Sequence, residues 1–132
     1  MTAPVKERKD KESEEPVNET DYQVEEEKQI IVHCRFDAPW NEDALIRIWK
    51  TTYLIDHASD YKSDLLFAYN ISFYPVWDLL PGNSTKKFTL VFGGLPKSCK
   101  VFDLIEITNN CDGFVSKGIV RKKEDVYHIV FE

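Results

Sequence analysis

The sequence has little of what marks several large classes of protein. Its 132 residues include five glycines, and its longest apolar run, LLFAY, has five residues, whereas a membrane-spanning helix needs about 20. Positive charge is not in excess, because 17 basic residues face 23 acidic ones. The one basic cluster in the sequence, Arg121 to Lys123, is short and is typical of a charged hairpin. We therefore exclude collagen-like and transmembrane-helix classes, and predict no membrane insertion and no nucleic-acid partner.

Cysteine is also scarce, with three residues and no CxxC pair. A disulfide framework in a chain this small would use more cysteine. Cys34 lies in the apolar phase of an alternating segment, which predicts a small buried hydrophobe. Cys99 and Cys111 would pair only if the fold brought their Cα atoms within about 7 Å. Reduced thiols are the simpler interpretation.

The three histidines, His33, His57 and His128, lie far apart in the sequence. A zinc site needs several His, Cys or carboxylate ligands at short spacing. We therefore predict that each histidine stands alone and that His33 and His128 lie on the outward faces of strands. No metal and no other cofactor is expected.

Recognisable catalytic motifs are missing as well. The segment GGLPKS has Pro96 where a phosphate-binding loop has glycine, and proline has no N–H to offer a phosphate. Asp56, His57 and Ser59 suggest nucleophilic chemistry, but no strained G-x-S-x-G turn accompanies them. We interpret these three residues as a turn and predict that the chain is not an enzyme. A catalytic site assembled from distant residues is the weaker alternative.

The negative charge is concentrated at one end of the chain. Residues 1–29 hold ten acidic and five basic groups, whereas residues 30–132 hold 13 and 12. A segment this polar cannot bury enough apolar surface to offset the entropy lost on ordering. We predict a disordered acidic leader over residues 1–29 and one folded domain over residues 30–132. A partner-docking arm or a tether is the alternative for the leader.

The first residues, MTAPVKERKD, lack the apolar stretch of a secretory signal. As the chain stands, the expected location is the cytoplasm. If a signal or anchor has been removed, the expected location is the cell envelope or periplasm.

From Ile30 onward the sequence alternates with a period of two, which predicts half-buried strands. In QIIVHCRF every second residue, from Ile30 to Phe36, is apolar, and the same alternation recurs in KKFTLVF and VYHIVFE. VFDLIEI is apolar on both faces, as in a central strand, and Gly118 in FVSKGIV indicates a bulge. The Pro81-Gly82 pair predicts a type II turn with positive φ at the glycine.

The stretch NEDALIRIWKTTYLID is ambiguous, because Asn41 is a suitable helix cap. Its many β-branched and aromatic residues favour one long strand, or two strands with a bend. The whole pattern predicts an all-β fold, either an antiparallel sandwich or a barrel.

The chain contains the segments IRIWKTTYLID and FTLVFGGLPKSCKVFDLIEI. They resemble a β-rich domain of uncharacterised Bacteroidetes proteins, some of which carry it beside thioredoxin-like or other modules. Four features follow one another in the chain: a strand that ends in Leu-x-Asp, a Pro-Gly turn, an F-x-L-x-F strand and a Leu-Pro-Lys segment. Their order also resembles that of immunoglobulin-like accessory domains of bacterial exported proteins. Over residues 30–107 the resemblance implies strands in the ambiguous stretch and an immunoglobulin-like fold in a bacterial protein. Of the sandwich and the barrel, we therefore predict an immunoglobulin-like antiparallel β-sandwich. The resemblance supplies no catalytic residues.

Trp40, Tyr74 and Trp77 lie in predicted loops, within DAPWNED and SFYPVWDLLP. Exposed aromatic rings there would contact a protein partner or stack on a sugar. Large aromatic residues also commonly close the end of a β-sandwich by packing against its core. We predict a binding or accessory module that acts through protein contacts, with these three residues as candidate binding residues. A carbohydrate-binding module that uses the same rings is the alternative.

Overall fold

A computed structural model describes residues 28–110 and 113–131. The predicted leader lies outside these residues, apart from its last two positions. The described residues contain no helix and form nine strands: β1 Ile30–Asp37, β2 Ala44–Ile46, β3 Thr52–Asp56, β4 Lys62–Tyr69, β5 Asp78–Leu80, β6 Thr85–Phe92, β7 Val101–Glu106, β8 Val115–Val120 and β9 Val126–Phe131. The all-β prediction is confirmed. The ambiguous stretch forms two strands, β2 and β3, as its β-branched residues predicted.

Seven strands form one continuous sheet in the order β8-β7-β3-β4-β6-β1-β9, and β2 and β5 form a separate two-stranded sheet. Every strand pair is antiparallel except β1 with β9, which is parallel and sets Ile31 opposite Val126. The terminal strands β8 and β9 line one shared surface depression, so the sheet curls round on itself. It is barrel-like rather than clearly an immunoglobulin sandwich, because β4 pairs with both β3 and β6 and keeps the sheet undivided.

Alternate residues of the predicted strands form the core. Strand β7 is paired on both sides, with β3 and β8, as its apolar residues on both faces predicted. Removing the apolar core side chains from water is the main favourable contribution to folding. The inward residues of β1, β6 and β7 that are at most 3% exposed are Ile30, Val32, Cys34, Phe88, Leu90, Phe92, Phe102 and Leu104.

No helix among the described residues is long and apolar enough to cross a membrane.

The turn between β5 and β6 differs from the prediction. The residue with positive φ is Asn83, at 61°, rather than Gly82, so the predicted type II turn is wrong. Gly82 is required for a different reason, since a Cβ atom there would lie 2.9 Å from the carbonyl oxygen of Glu42. Its N–H also donates to Asp43 Oδ1 at 2.8 Å. This turn therefore packs directly against the residues that lead into β2.

Gly118 occupies a bulge in β8, as predicted. Its φ is 71°, and the register between β7 and β8 shifts beside it. The Gly118 N–H donates to Asp103 Oδ1 at 2.8 Å, and His57 Nε2 lies 2.6 Å from the same oxygen. Burial would raise the pKa of Asp103, but these hydrogen bonds hold it below its ordinary value. Asp103 thus connects the β3–β4 turn to the bulge.

Two cysteines are buried free thiols. Cys34 is 3% exposed, which confirms its place in the core, and Cys99 is 1% exposed. Cys111 lies outside the described residues. Burial raises the pKa of Cys34 to about 12. Burial, followed by a hydrogen bond with Asp56, raises the pKa of Cys99 to about 11.

These raised pKa values predict a loss of stability in alkali. Unfolding returns each thiol to a pKa of 9.0, so above that pH the unfolded chain releases protons that the folded chain keeps. Below pH 9.0 both thiols are protonated in the folded and in the unfolded chain, so their full contribution to the stability of the fold is present. Above it we expect each thiol to lower the free energy of unfolding by about 1.4 kcal/mol per pH unit, up to its folded pKa. Urea unfolding at several pH values in this range measures how steeply the free energy of unfolding falls with pH. The fall should be less steep for Cys34→Ala than for the wild type. Equal slopes would contradict this assignment.

Candidate functional site

The two-stranded sheet positions two of the predicted aromatic residues. Strands β2 and β5 are antiparallel, with Ile46 opposite Asp78 at the last pair. Arg47 directly follows Ile46 and Trp77 directly precedes Asp78, so the two residues extend the strand pair at the same end. Because side chains alternate along a strand, Arg47 and Trp77 lie on the face opposite to the buried Ile46.

The loop that leads into β5 is fastened by a carboxylate. Asp78 Oδ2 accepts the Ser72 N–H at 2.8 Å, and Asp78 Oδ1 accepts the Ser72 hydroxyl at 2.7 Å. Burial would raise the pKa of Asp78, but these two hydrogen bonds and the positive charge of Lys86 hold it below its ordinary value. The Tyr74 N–H donates to the carbonyl oxygen of Ile48 at 2.9 Å. Asp78 therefore closes the loop on itself, and the Tyr74 N–H holds it against the segment that follows β2.

Four side chains from these segments form an arginine–aromatic cluster, consisting of Arg47, Trp49, Tyr74 and Trp77. The Arg47 guanidinium carbon lies 3.6 Å from the ring centroid of Trp77 and 4.6 Å from that of Tyr74. The ring centroids of Trp49 and Tyr74 are 4.1 Å apart. A guanidinium over an aromatic face is a cation–π contact, worth about 0.5–1 kcal/mol at an exposed site.

The cluster lies within an exposed apolar surface. Tyr74 and Trp77 are 47% and 50% exposed, and the neighbouring Leu45, Val76 and Leu79 are 56–64% exposed. Leu45 and Leu79 are register partners, so their side chains lie together on the face that also carries Arg47. We call these apolar residues and the cluster the β2–β5 surface.

A buried carboxylate supports this surface from below. Arg47, Trp49 and Glu106 line a cleft of about 270 Å³. Glu106 is 7% exposed. Its Oε2 accepts the Trp49 N–H at 2.7 Å, and its Oε1 accepts the Phe114 N–H at 2.8 Å. A Cβ atom at Gly113 would lie 2.5 Å from the Glu106 carbonyl oxygen. Glu106 therefore fixes the backbone on both sides of the cleft.

The structure thus brings together Tyr74 and Trp77 and leaves Trp40 outside the cluster. Trp40 is 79% exposed and lies in the turn before β2. Sequence reasoning missed Arg47 and Trp49. Their spacing of two residues in a strand-like segment indicated a shared face, but nothing local indicated contact with residues almost 30 positions further along the chain.

The residues that suggested catalysis form a turn, as predicted. Asp56 accepts hydrogen bonds from the Ala58 N–H at 3.0 Å and the Ser59 hydroxyl at 2.8 Å. Burial would raise the pKa of Asp56, but these two donors hold it below its ordinary value. His57 contacts Asp103 instead of Ser59. The Ser59 hydroxyl is therefore engaged with the carboxylate of its own turn.

The prediction that every histidine stands alone is wrong for His33 and His128. The parallel pairing of β1 with β9 sets them opposite each other, with ring centroids 5.1 Å apart. Both are exposed, as predicted for outward positions, and His33 Nδ1 lies 2.9 Å from the Thr89 hydroxyl. Pairing between strands this distant in sequence is not encoded in local alternation, which explains the error.

Within residues 28–110 and 113–131, no group of three or more His, Cys, Asp or Glu side chains is arranged to hold a metal ion. Comparison of the chain with protein-family models, curated proteins and solved structures found no match. The geometry of the described residues is therefore the basis for a functional proposal.

Proposed function

We propose that this chain is a non-enzymatic binding module that acts through protein contacts, and that the β2–β5 surface contacts the partner. The supporting observation is the clustering of exposed apolar side chains around a preformed arginine–aromatic stack. Contiguous apolar patches on a soluble domain commonly mark interaction sites. Trp, Tyr and Arg are also the residues most enriched among those that dominate binding energy.

The stack is well suited to rigid recognition. Hydrogen bonds to Glu106 and Ile48 fix the backbone at Trp49 and Tyr74. The two rings pack against each other and Arg47 packs on Tyr74 and Trp77, so little side-chain entropy is lost when a partner covers them. The guanidinium of Arg47 rests on Trp77 and also donates to the Pro75 carbonyl oxygen at 3.3 Å. We expect the partner to supply apolar side chains for the leucine pair and a carboxylate for the arginine.

Carbohydrate binding remains the alternative for the same rings. Sugar recognition by stacking needs an accessible aromatic face. The Arg47 guanidinium covers one face of Trp77 at 3.6 Å, which favours a protein partner over a sugar.

The test is photo-crosslinking followed by affinity measurement. A photoreactive amino acid in place of Leu79 in the full chain captures the neighbour in native cells, and mass spectrometry identifies it. With the purified partner, we expect Trp77→Ala to cost about 2 kcal/mol, or roughly a 30-fold rise in Kd. Trp40→Ala is the matched control, because Trp40 is an exposed tryptophan outside the cluster, and its Kd should stay within about threefold.

Two results would overturn the proposal. One is an unchanged Kd for Trp77→Ala. The other is binding on a glycan array that Trp77→Ala abolishes, which would support the carbohydrate alternative.

A further inference from the structure

A second surface, which shares no residue with the β2–β5 surface, gathers positive charge. Lysines from three segments of the chain line a cleft of about 560 Å³ together with Arg121. We call it the basic cleft. Its six cationic residues are Lys28, Lys97, Lys100, Arg121, Lys122 and Lys123. Only the last three were visible as a cluster in the sequence, because the fold brings the others to them.

The carboxylate of this cleft is already engaged. Among the described residues that line it, Asp125 is the single acidic one. Asp125 is 3% exposed and accepts two hydrogen bonds from Arg121, at 2.7 and 3.1 Å. The Tyr127 hydroxyl donates to it as well, at 2.9 Å. Asp125 thus offsets the charge of Arg121, and the lysines give the cleft a net positive charge.

The chain enters this cleft directly from its acidic segment. Lys28, the first described residue, donates from Nζ to the Lys123 carbonyl oxygen at 3.0 Å. The preceding residues 12–27 carry eight carboxylates and no lysine or arginine. Fully extended, 16 residues reach up to about 50 Å, so these carboxylates can reach every lysine of the cleft.

We propose that the basic cleft binds the chain's own acidic segment, residues 12–27. The segment is tethered at the edge of the cleft, so its effective concentration there is in the millimolar range or above. Single exposed ion pairs are weak, but several carboxylates share several lysines, and no one fixed arrangement is needed. The contact is electrostatic, so it depends strongly on ionic strength.

Zero-length carbodiimide crosslinking of the full chain tests this proposal, because it joins a carboxylate to an amine only when the two are in contact. At low salt we expect crosslinks from residues 12–27 to Lys100, Lys122 and Lys123, identified by mass spectrometry. Their yield should fall at least fivefold in about 0.5 M NaCl. Crosslinks to Lys28 are not informative, because it directly follows the acidic segment.

Charge-reversal variants supply the matched comparison. Lys100→Glu, Lys122→Glu and Lys123→Glu combined should abolish crosslinks from the acidic segment to Lys97. The control combines Lys50→Glu, Lys62→Glu and Lys87→Glu, which makes the same change in net charge outside the cleft and should leave the cleft crosslinks intact. Equal loss in both variants, or crosslinks spread evenly over all lysines, would overturn the proposal. Crosslinks that join an isotope-labelled chain to an unlabelled one would overturn it too, because the occupant would then be a second copy.

Discussion

Arg121→Ala is expected to lower the free energy of unfolding by about 3 kcal/mol, and the Tm by about 12 °C. The Arg121 guanidinium holds both Asp125 oxygens and also donates to the carbonyl oxygens of Pro96 and Cys99, at 2.9 and 3.3 Å. Its removal leaves a carboxylate that is 4% exposed without its cation. The Arg121 side chain is itself 19% exposed, so the loss falls at the lower end of the range for buried pairs. Thermal and urea unfolding measure it.

A double-mutant cycle with Asp125→Ala separates the ion pair from general packing. Because the two single variants remove the same interaction, the double variant should lose less stability than the sum of the single losses. Arg35→Ala is the control, since Arg35 pairs with Asp37 at 3.0 Å but is 51% exposed; its Tm should match that of the wild type. Additive losses at residues 121 and 125 would show that the pair is not coupled.

Glu106→Ala is the second change with a large expected effect. It leaves the N–H groups of Trp49 and Phe114 without their acceptor, and a buried unpaired donor costs about 1–3 kcal/mol. We expect a loss of about 3 kcal/mol in the free energy of unfolding, with a change in tryptophan fluorescence as Trp49 loses its support.

Glu106→Gln should give a smaller loss than the alanine variant. Glutamine keeps one carbonyl acceptor but presents an NH₂ group to the other donor. Glu124→Ala, at an exposed position, should leave the Tm unchanged. A wild-type Tm for Glu106→Ala would show that these hydrogen bonds contribute little.

The strands could be predicted because their information is local. Ile30, Val32 and Cys34 alternate with polar residues, and the same residues are buried in β1. The β-branched residues that follow Asn41 likewise favoured strands over a helix, and β2 and β3 form there. Burial of one face requires a period of two, so the sequence itself carries the signal.

The sites could be predicted only in part, because they depend on which distant strands become neighbours. Trp77 was visible as a candidate, but its partner Arg47 was not, since the contact needs the pairing of β2 with β5. The contact between His33 and His128 similarly needs β1 beside β9. The lysines of the basic cleft needed the same long-range information.

The parallel pairing of β1 with β9 has a mechanical consequence. The two strands run in the same direction, with residues 31–36 beside residues 126–131, so a pull on residue 30 and an opposite pull on residue 131 slide them past each other. All the hydrogen bonds between β1 and β9 then carry the load together, instead of opening one after another as in a peeled hairpin. The folded domain is therefore arranged to resist tension applied along the chain.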